Sequence, residues 1–140
     1  MSYVKIIGGL GNQLFQYAFA YNIYKKNNKT KLDISEYEYY VLHKLLLHKF
    51  KVNLKYANYK ETRKFYLFKN IFISYNLRAF SLKLYNFLNK FLNSSLVVNE
   101  KTFNKRKICS DCLYDGYWQN FKYVERYKKF FLTQFKLKNM

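Results

Sequence analysis

A glycine-rich segment near the amino terminus, residues 8–11, limits the possible folds more strongly than any other part of this sequence. Residues 3–7 before it end in β-branched side chains, as a short buried strand would. After it, Asn12 is a candidate N-cap, and apolar side chains recur at helical spacing until about residue 27. Residues 31–35 then read as a second strand. A strand, a glycine loop, a helix and a strand form a βαβ unit, which predicts a parallel sheet.

The rest of the chain adds elements of the same kinds. Residues 77–91 carry apolar side chains at steps of three and four, so we expect a helix with one apolar face. Residues 96–98 and 112–118 are predicted as strands, and residues 120–135 as a final helix. The sequence contains no proline, no internal repeat and no flexible linker. We therefore predict one α/β domain over residues 1–140, which is long enough to bury a substantial core.

The glycine segment has two interpretations that the residues alone leave open. Glycines allow the backbone to approach a ligand, and the free amides at a helix start attract an anion such as phosphate. Gly9 and Gly11 fit a dinucleotide-binding pattern, although Leu14 stands where its third glycine would be. Asp33 lies near the position expected for an acid that binds ribose. An ordinary tight turn explains the same residues equally well.

The formal net charge of +18 points to an acidic partner. Lysine, asparagine, tyrosine and phenylalanine, which have A/T-rich codons, dominate the composition, so base composition explains part of this charge. No RNA-recognition signature is present and the charge is spread along the chain, which argues against specific nucleic-acid binding. The basic amphipathic stretch at residues 74–93 fits either an anionic membrane surface or a helix packed on the sheet, and we favour packing.

The location predicted for the protein follows from its apolar segments. No apolar leader begins the sequence, and its apolar runs are far shorter than the roughly 20 residues of a spanning helix. We expect a cytoplasmic protein that is either soluble or peripheral at the inner face of a membrane.

Cysteine and histidine are too few for a metal centre. Cys109 and Cys112 have C-x-x-C spacing, but a structural zinc site needs four ligands and no second pair exists. We therefore predict two reduced, partly buried thiols and no metal. No arrangement of serine, histidine and aspartate, or of cysteine and histidine, indicates a catalytic nucleophile.

Four blocks of this sequence resemble one enzyme family in the same order. Residues 8–18, Gly-Gly-Leu-Gly-Asn-Gln-Leu-Phe-Gln-Tyr-Ala, are similar to the N-terminal signature of the bacterial α-1,2-fucosyltransferases, glycosyltransferase family 11. Residues 32–35 resemble the second strand of that family, and residues 48–52 resemble its L-x-x-F-x-I stretch. Residues 115–123 are similar to its G-Y-W-Q segment. The resemblance spans nearly all of the chain.

The resemblance implies a fold, a reaction and a set of site residues. Family members transfer L-fucose from GDP-fucose to the 2-hydroxyl of a galactoside, with inversion and without a metal or cofactor, in the synthesis of surface glycans such as lipopolysaccharide or capsule. They are of GT-B type, with two Rossmann-like domains and the reaction in the cleft between them. Trp118 would either stack on a sugar or end a buried strand in the core. The implied donor and acceptor cleft residues are Gly9, Gly11, Asn12, Gln13 and Asp33, and the implied acceptor-side residues are Tyr117, Trp118 and Gln119.

One family motif is missing from these 140 residues. None of the four arginines belongs to a His-x-Arg-x-Gly-Asp motif, whose arginine is expected to neutralise the GDP diphosphate. The resemblance therefore implies the N-terminal half of the enzyme without its donor-binding domain, with residues 120–140 forming a helix that leads toward it. We expect this chain alone to be inactive, and a separate C-terminal half is a candidate partner. The alternative is a basic module that binds nucleic acid or an anionic membrane without catalysis.

Overall fold

The structure is a computed structural model that describes residues 1–38, 41–66, 97–104 and 108–138. The amphipathic helix predicted within residues 74–93 lies outside the described residues. In the described part of the chain, no helix combines the length and the apolar character that crossing a bilayer requires.

The centre of the fold is a parallel sheet with the strand order β2-β1-β4-β3. In the described ranges it has four strands: β1 (Ser2–Lys5), β2 (Thr30–Asp33), β3 (Val97–Asn99) and β4 (Cys112–Asp115). Val4 of β1 lies beside Leu32 of β2 on one side and Tyr114 of β4 on the other. The predicted α/β fold with a parallel sheet is confirmed. The last strand is shorter than predicted, because it ends at Asp115 before the turn at Gly116.

The helix after the glycine loop, α1, covers Leu10–Asn27. Gly9 is its N-cap, with an extended backbone, and the Gln13 amide donates to the Gly9 carbonyl at 3.1 Å. The prediction of Asn12 as the N-cap is therefore wrong, because the glycine loop closes the first helical turn itself. At the other end Asn28 adopts the left-handed conformation, and its amide donates to the Tyr24 carbonyl at 2.7 Å.

Between β2 and the next described strand the chain forms short helical turns. The 3₁₀ helices at Ser35–Glu38 and Leu47–Lys49 are followed by α2 (Tyr59–Thr62) and a third 3₁₀ helix at Arg63–Phe65. A capping box starts α2, because the Asn58 side chain accepts from the Glu61 amide while the Glu61 carboxylate accepts from the Asn58 amide.

The carboxyl-terminal segment contains two helices, α3 (Lys122–Glu125) and α4 (Lys128–Gln134). The single helix predicted over residues 120–135 is wrong, because Tyr127 leaves the helical conformation at φ −126° and ψ 32°. The break allows Phe131 to enter the core beside the rings of Tyr17 and Tyr21. Residues 136–138 then run alongside residues 49–51, with an antiparallel bridge between Phe50 and Leu137.

Most of the core lies between the sheet and α1. Its aromatic centre is the stack of Trp118 on Phe19, whose ring centroids are 3.8 Å apart with planes nearly parallel. A smaller cluster on the opposite face of the sheet joins Tyr3, Phe65 and Leu113. Within the described residues, side chains therefore pack on both faces of the sheet.

Candidate functional site

The strand order brings the glycine loop next to a second loop at the carboxyl edge of the sheet. Strand β1 lies between β2 and β4 in the sheet, and the chain passes from β1 to β2 through α1. In open α/β sheets, ligands bind in the crevice between the loops that follow two such strands. Here the loops are residues 6–9 after β1 and residues 116–121 after β4. We call this place the β1–β4 crevice.

Gly8 makes the turn into the crevice. Its φ of +87° lies in the left-handed region, and a Cβ there would stand 2.6 Å from the Asn12 side-chain nitrogen. The Gly8 carbonyl accepts hydrogen bonds from the side chains of Gln13, at 2.9 Å, and Tyr37, at 2.7 Å. The turn therefore requires glycine at this position and is held by side chains from two other segments.

Gly9 and Gly11 have different surroundings. A Cβ on Gly9 would lie 3.7 Å from the ring of His43, whereas nothing lies within 4 Å of a Cβ on Gly11. Gly11 is exposed in the first turn of α1, where backbone amides have no acceptor within the helix and attract electronegative groups. The open side of the glycine loop is therefore the side of Gly11.

Gln13 is fully buried and fixes a neighbouring segment. Its amide nitrogen donates to the carbonyls of Gly8 and Lys44, at 2.9 and 3.0 Å. Its amide oxygen accepts from the amides of Leu46 and Leu47, at 2.9 and 3.1 Å. Both ends of the side chain are thus occupied, so the structure places this predicted cleft residue beneath the loop rather than at its surface.

Gln16 joins the two loops of the crevice, and no sequence pattern identified it. Its side-chain oxygen accepts from the Ile7 amide at 2.9 Å, and its nitrogen donates to the Gly116 carbonyl at 3.1 Å. The side chain is fully buried. The sequence did contain one signal for this role. Gln16 is a polar residue about one turn after Gln13, on the face of α1 that packs against the sheet.

Asn12 and Gln119 connect the loops at the surface. The Gln119 side-chain nitrogen donates to the Asn12 side-chain oxygen at 2.6 Å, although the residues are 107 positions apart. Gln119 is exposed and Asn12 is half-buried. The structure therefore brings together two predicted site residues, one from each block of the resemblance.

Tyr117 and Trp118, the two residues before Gln119, differ in their exposure. Trp118 has a positive φ of 54° and is fully buried, so its indole belongs to the core and does not present a face to a sugar. Of the two alternatives for Trp118, stacking on a sugar and burial in the core, the structure shows burial in the core. Tyr117 is half exposed at the rim. Glu100, which the sequence did not indicate, accepts the Trp118 amide at 3.1 Å and holds this turn.

Asp33 lies at the end of β2 and is buried. One carboxylate oxygen accepts from the Tyr66 hydroxyl at 2.6 Å and the other from the Ser35 amide at 3.1 Å. Burial, together with the Asp33 charge, raises the pKa of Tyr66. The structure thus ties the Asp33 carboxylate to its own side of the sheet and does not join it to Asn12 or Gln119.

Lys5, at the end of β1 beside Asp33, holds a partly buried charge cluster. Its ammonium lies 3.2 Å from the Glu36 carboxylate and 3.4 Å from the Asp115 carboxylate. Burial lowers the pKa of Lys5, but the two carboxylates outweigh that effect and raise it above its usual value. The cluster fixes the carboxyl ends of β1 and β4 relative to each other.

Cys109 and Cys112 lie at the amino end of β4, away from the crevice. Both thiols are free, as predicted, and Cys112 is buried while Cys109 is partly exposed. Burial raises the pKa of the Cys112 thiol, which donates to the Cys109 carbonyl at 3.4 Å. Across the described ranges, no group of three or more histidine, cysteine, aspartate or glutamate side chains is arranged to hold a metal ion.

The side chains that join the two loops of the crevice are neutral hydrogen-bonding groups, and the charged Lys5, Glu36 and Asp115 lie beside them near the strand ends. The side-chain amides of Asn12 and Gln119 and the first-turn amides of α1 are the groups that a ligand over Gly11 would meet. Such a set suits a ligand with several hydroxyls. No family model, curated protein or solved structure matches this chain.

Proposed function

We propose that this chain is the N-terminal, Rossmann-like domain of a GT-B type α-1,2-fucosyltransferase of glycosyltransferase family 11, and that its β1–β4 crevice takes the galactoside acceptor. The resemblance of residues 8–18 and 115–123 to that family carries the proposal. The hydrogen bond between Asn12 and Gln119 supports it, because it joins these two distant blocks at one edge of the sheet.

In the proposed enzyme, the two domains supply different groups to the reaction. Fucosyl transfer needs groups that orient and polarise the acceptor hydroxyl, and cations or amides that neutralise the departing diphosphate. The side-chain amides of the β1–β4 crevice are groups that would orient and polarise the acceptor hydroxyl. The His-x-Arg-x-Gly-Asp motif that would supply the second kind does not occur in these 140 residues. We therefore propose that a donor-binding domain completes the enzyme and that this chain alone does not transfer fucose from GDP-fucose.

The acceptor site is tested by following backbone amide signals in NMR spectra while lactose, a galactoside, is added. Maltose, which lacks galactose, is the control sugar. We expect lactose to shift the signals of Gly9, Gly11, Asn12 and Gln119, and maltose to leave them unchanged. Absence of these shifts, or equal shifts with both sugars, would reject acceptor binding at the crevice.

The division between domains is tested by assaying transfer from GDP-fucose to lactose. The chain is assayed alone and together with a second domain that carries the His-x-Arg-x-Gly-Asp motif. We expect activity only with both, strongly reduced by Asn12→Ala and unchanged by Asn53→Ala, an exposed asparagine away from the crevice. Turnover by the chain alone that Asn12→Ala abolishes would disprove the need for a second domain.

A cavity at the opposite, amino edge of the sheet favours the alternative, a module that binds nucleic acid. This cavity of about 470 Å³ is lined by three lysines, Lys29, Lys31 and Lys55, and by the rings of Tyr21 and Tyr24. Lys31 is paired with Glu61, and Tyr21 is buried against Phe130, so Lys29, Lys55 and Tyr24 are the groups that a nucleic acid would meet. Cations next to aromatic rings suit single-stranded nucleic acid, whose bases stack on such rings. Saturable binding of an oligonucleotide at physiological salt would support the alternative, whereas binding that disappears as salt rises indicates charge attraction alone.

A further inference from the structure

A smaller cavity lies between α1, α3 and the segment that follows β3. Its volume is about 220 Å³, and its inner wall is apolar: Phe19 and Ile23 are buried there, and Phe103 and Tyr123 are half-buried. The cavity opens near the last turn of α1, about 20 Å along the helix from the glycine loop. It is therefore separate from the β1–β4 crevice.

Three exposed cations surround the opening of this cavity: Lys26 of α1, Lys122 of α3 and Arg126 just after α3. Lys122 and Arg126 are four residues apart, so their like charges lie on one helical face and repel each other. Neither of them forms a salt bridge within the described residues. No carboxylate belongs to the cavity lining that the structure describes.

We propose that this cavity binds a phosphate group carried on a short apolar stem. The cations would hold the phosphate, because charge-assisted hydrogen bonds from lysine and arginine to phosphate are strong. The apolar wall would take the stem, which inorganic phosphate lacks. The volume of about 220 Å³ lies below the roughly 300–1,000 Å³ of whole-ligand pockets, so the cavity has room for a short stem only, while the phosphate stays among the cations at the opening. This inference is independent of fucosyl transfer.

Trp118, the only tryptophan of the chain, reports on this cavity. Its indole stacks on Phe19 at 3.8 Å and meets Phe103 edge-on at 5.3 Å, and both of these rings line the cavity. A stem that packs against Phe19 and Phe103 therefore changes the surroundings of the indole. Fluorescence of the native chain gives a binding signal without a label.

The experiment titrates the full chain with hexyl phosphate at physiological salt and follows Trp118 fluorescence. We expect a saturable change that hexyl glucoside and inorganic phosphate do not reproduce. The double substitution Lys122→Gln/Arg126→Gln should weaken hexyl phosphate binding by roughly tenfold or more, since it removes two charged hydrogen-bond donors.

The matched control is Lys128→Gln/Lys129→Gln, which removes the same number of charges from exposed positions on α4 outside the cavity. It should change the affinity by less than about twofold, because screening weakens distant exposed charges. Equal losses in the two variants, or equal binding of hexyl glucoside, would overturn the proposal. Circular dichroism establishes that each variant is folded, and Lys26→Gln provides a second test at the same opening.

The source of the phosphate group is distinguished in a final arm. Vesicles of phosphatidylcholine with phosphatidic acid present the group in a bilayer, whereas hexyl phosphate presents it in solution. Binding to those vesicles that Lys122→Gln/Arg126→Gln reduces indicates a lipid headgroup, and response to hexyl phosphate alone indicates a soluble organic phosphate. No saturable response to either form would overturn the proposal.

Discussion

Alanine at Gly8 and alanine at Gly11 should change the free energy of unfolding in opposite directions. Both glycines belong to the same short segment, and the substitution is the same. Gly8 has a φ of +87° and a crowded Cβ position, whereas Gly11 lies in the first turn of α1 with an open one. The pair therefore separates backbone strain from helix propensity within four residues.

The magnitude for Gly8→Ala follows from two costs. A left-handed backbone costs a residue with a Cβ roughly 1–2 kcal/mol. The added Cβ would stand 2.6 Å from the Asn12 side-chain nitrogen, and that side chain is held by Gln119, so moving it breaks a hydrogen bond worth about 1 kcal/mol. We expect a total loss of about 2–3 kcal/mol. For a chain of 140 residues this lowers the melting temperature by roughly 3 °C per kcal/mol.

Gly11→Ala should instead stabilise the chain. Its Cβ meets nothing within 4 Å, and alanine loses less backbone entropy than glycine in a helix. We expect a gain of about 0.5 kcal/mol, since the first turn realises only part of the difference. If a ligand occupies the open side of the loop, the same substitution should weaken its binding even though the chain is more stable.

The assay is urea unfolding followed by circular dichroism and by Trp118 fluorescence. Changes in the same direction for both substitutions would refute this account of the loop, because the two sites would then share a conformation. A stabilised Gly11→Ala variant that binds lactose as well as the parent chain would place the ligand elsewhere.

Three further substitutions or reactions test other parts of the structure. Gln16→Leu should destabilise the chain by about 1–3 kcal/mol, because the two loops lose their buried amide bridge, whereas Gln119→Leu at the surface should cost less than about 1 kcal/mol in urea unfolding. Lys5→Met should destabilise the chain by about 1–3 kcal/mol at pH 7, because Glu36 and Asp115 lose the cation between them. The raised pKa of Lys5 means that this difference should shrink as the pH rises above about 10.4, where the ammonium begins to lose its proton; a loss that stays the same in urea unfolding at pH 7 and at alkaline pH would contradict the charge cluster. Iodoacetamide at pH 8 should modify Cys109 well before Cys112, because burial raises the pKa of the Cys112 thiol; mass spectrometry of the alkylated peptides would expose equal rates.

Local patterns predicted the elements whose signals lie in neighbouring residues. The alternation before Gly8 and the glycine loop itself predicted β1 and α1, and the chain order of strand, helix and strand predicted a parallel sheet. Each of these follows from rules that act within a few residues: backbone sterics, helix periodicity and the need of a crossover connection. The helix after the loop nevertheless begins three residues earlier than predicted, at Leu10 rather than at Gln13.

Predictions failed where a distant segment decides the local structure. Residues 120–135 have helical spacing throughout, yet the helix breaks at Tyr127, and Phe131 after the break packs against Tyr17 and Tyr21 of α1. Trp118 lies in the core because its indole stacks on Phe19, which is 99 positions earlier in the chain. Packing against partners far away in sequence overrides local propensity, and one sequence does not display those partners.

The sequence by itself determined a βαβ start and a parallel α/β sheet, since these depend on steric rules between near neighbours. Only the tertiary structure decided which side chains are exposed at the β1–β4 crevice and which are buried beneath it. It buries Gln13, Gln16 and Trp118, and it joins Asn12 to Gln119 across the β1–β4 crevice. The physical reason is that burial and hydrogen-bond partners arise from the meeting of loops about 100 residues apart, which the order of residues along the chain does not specify.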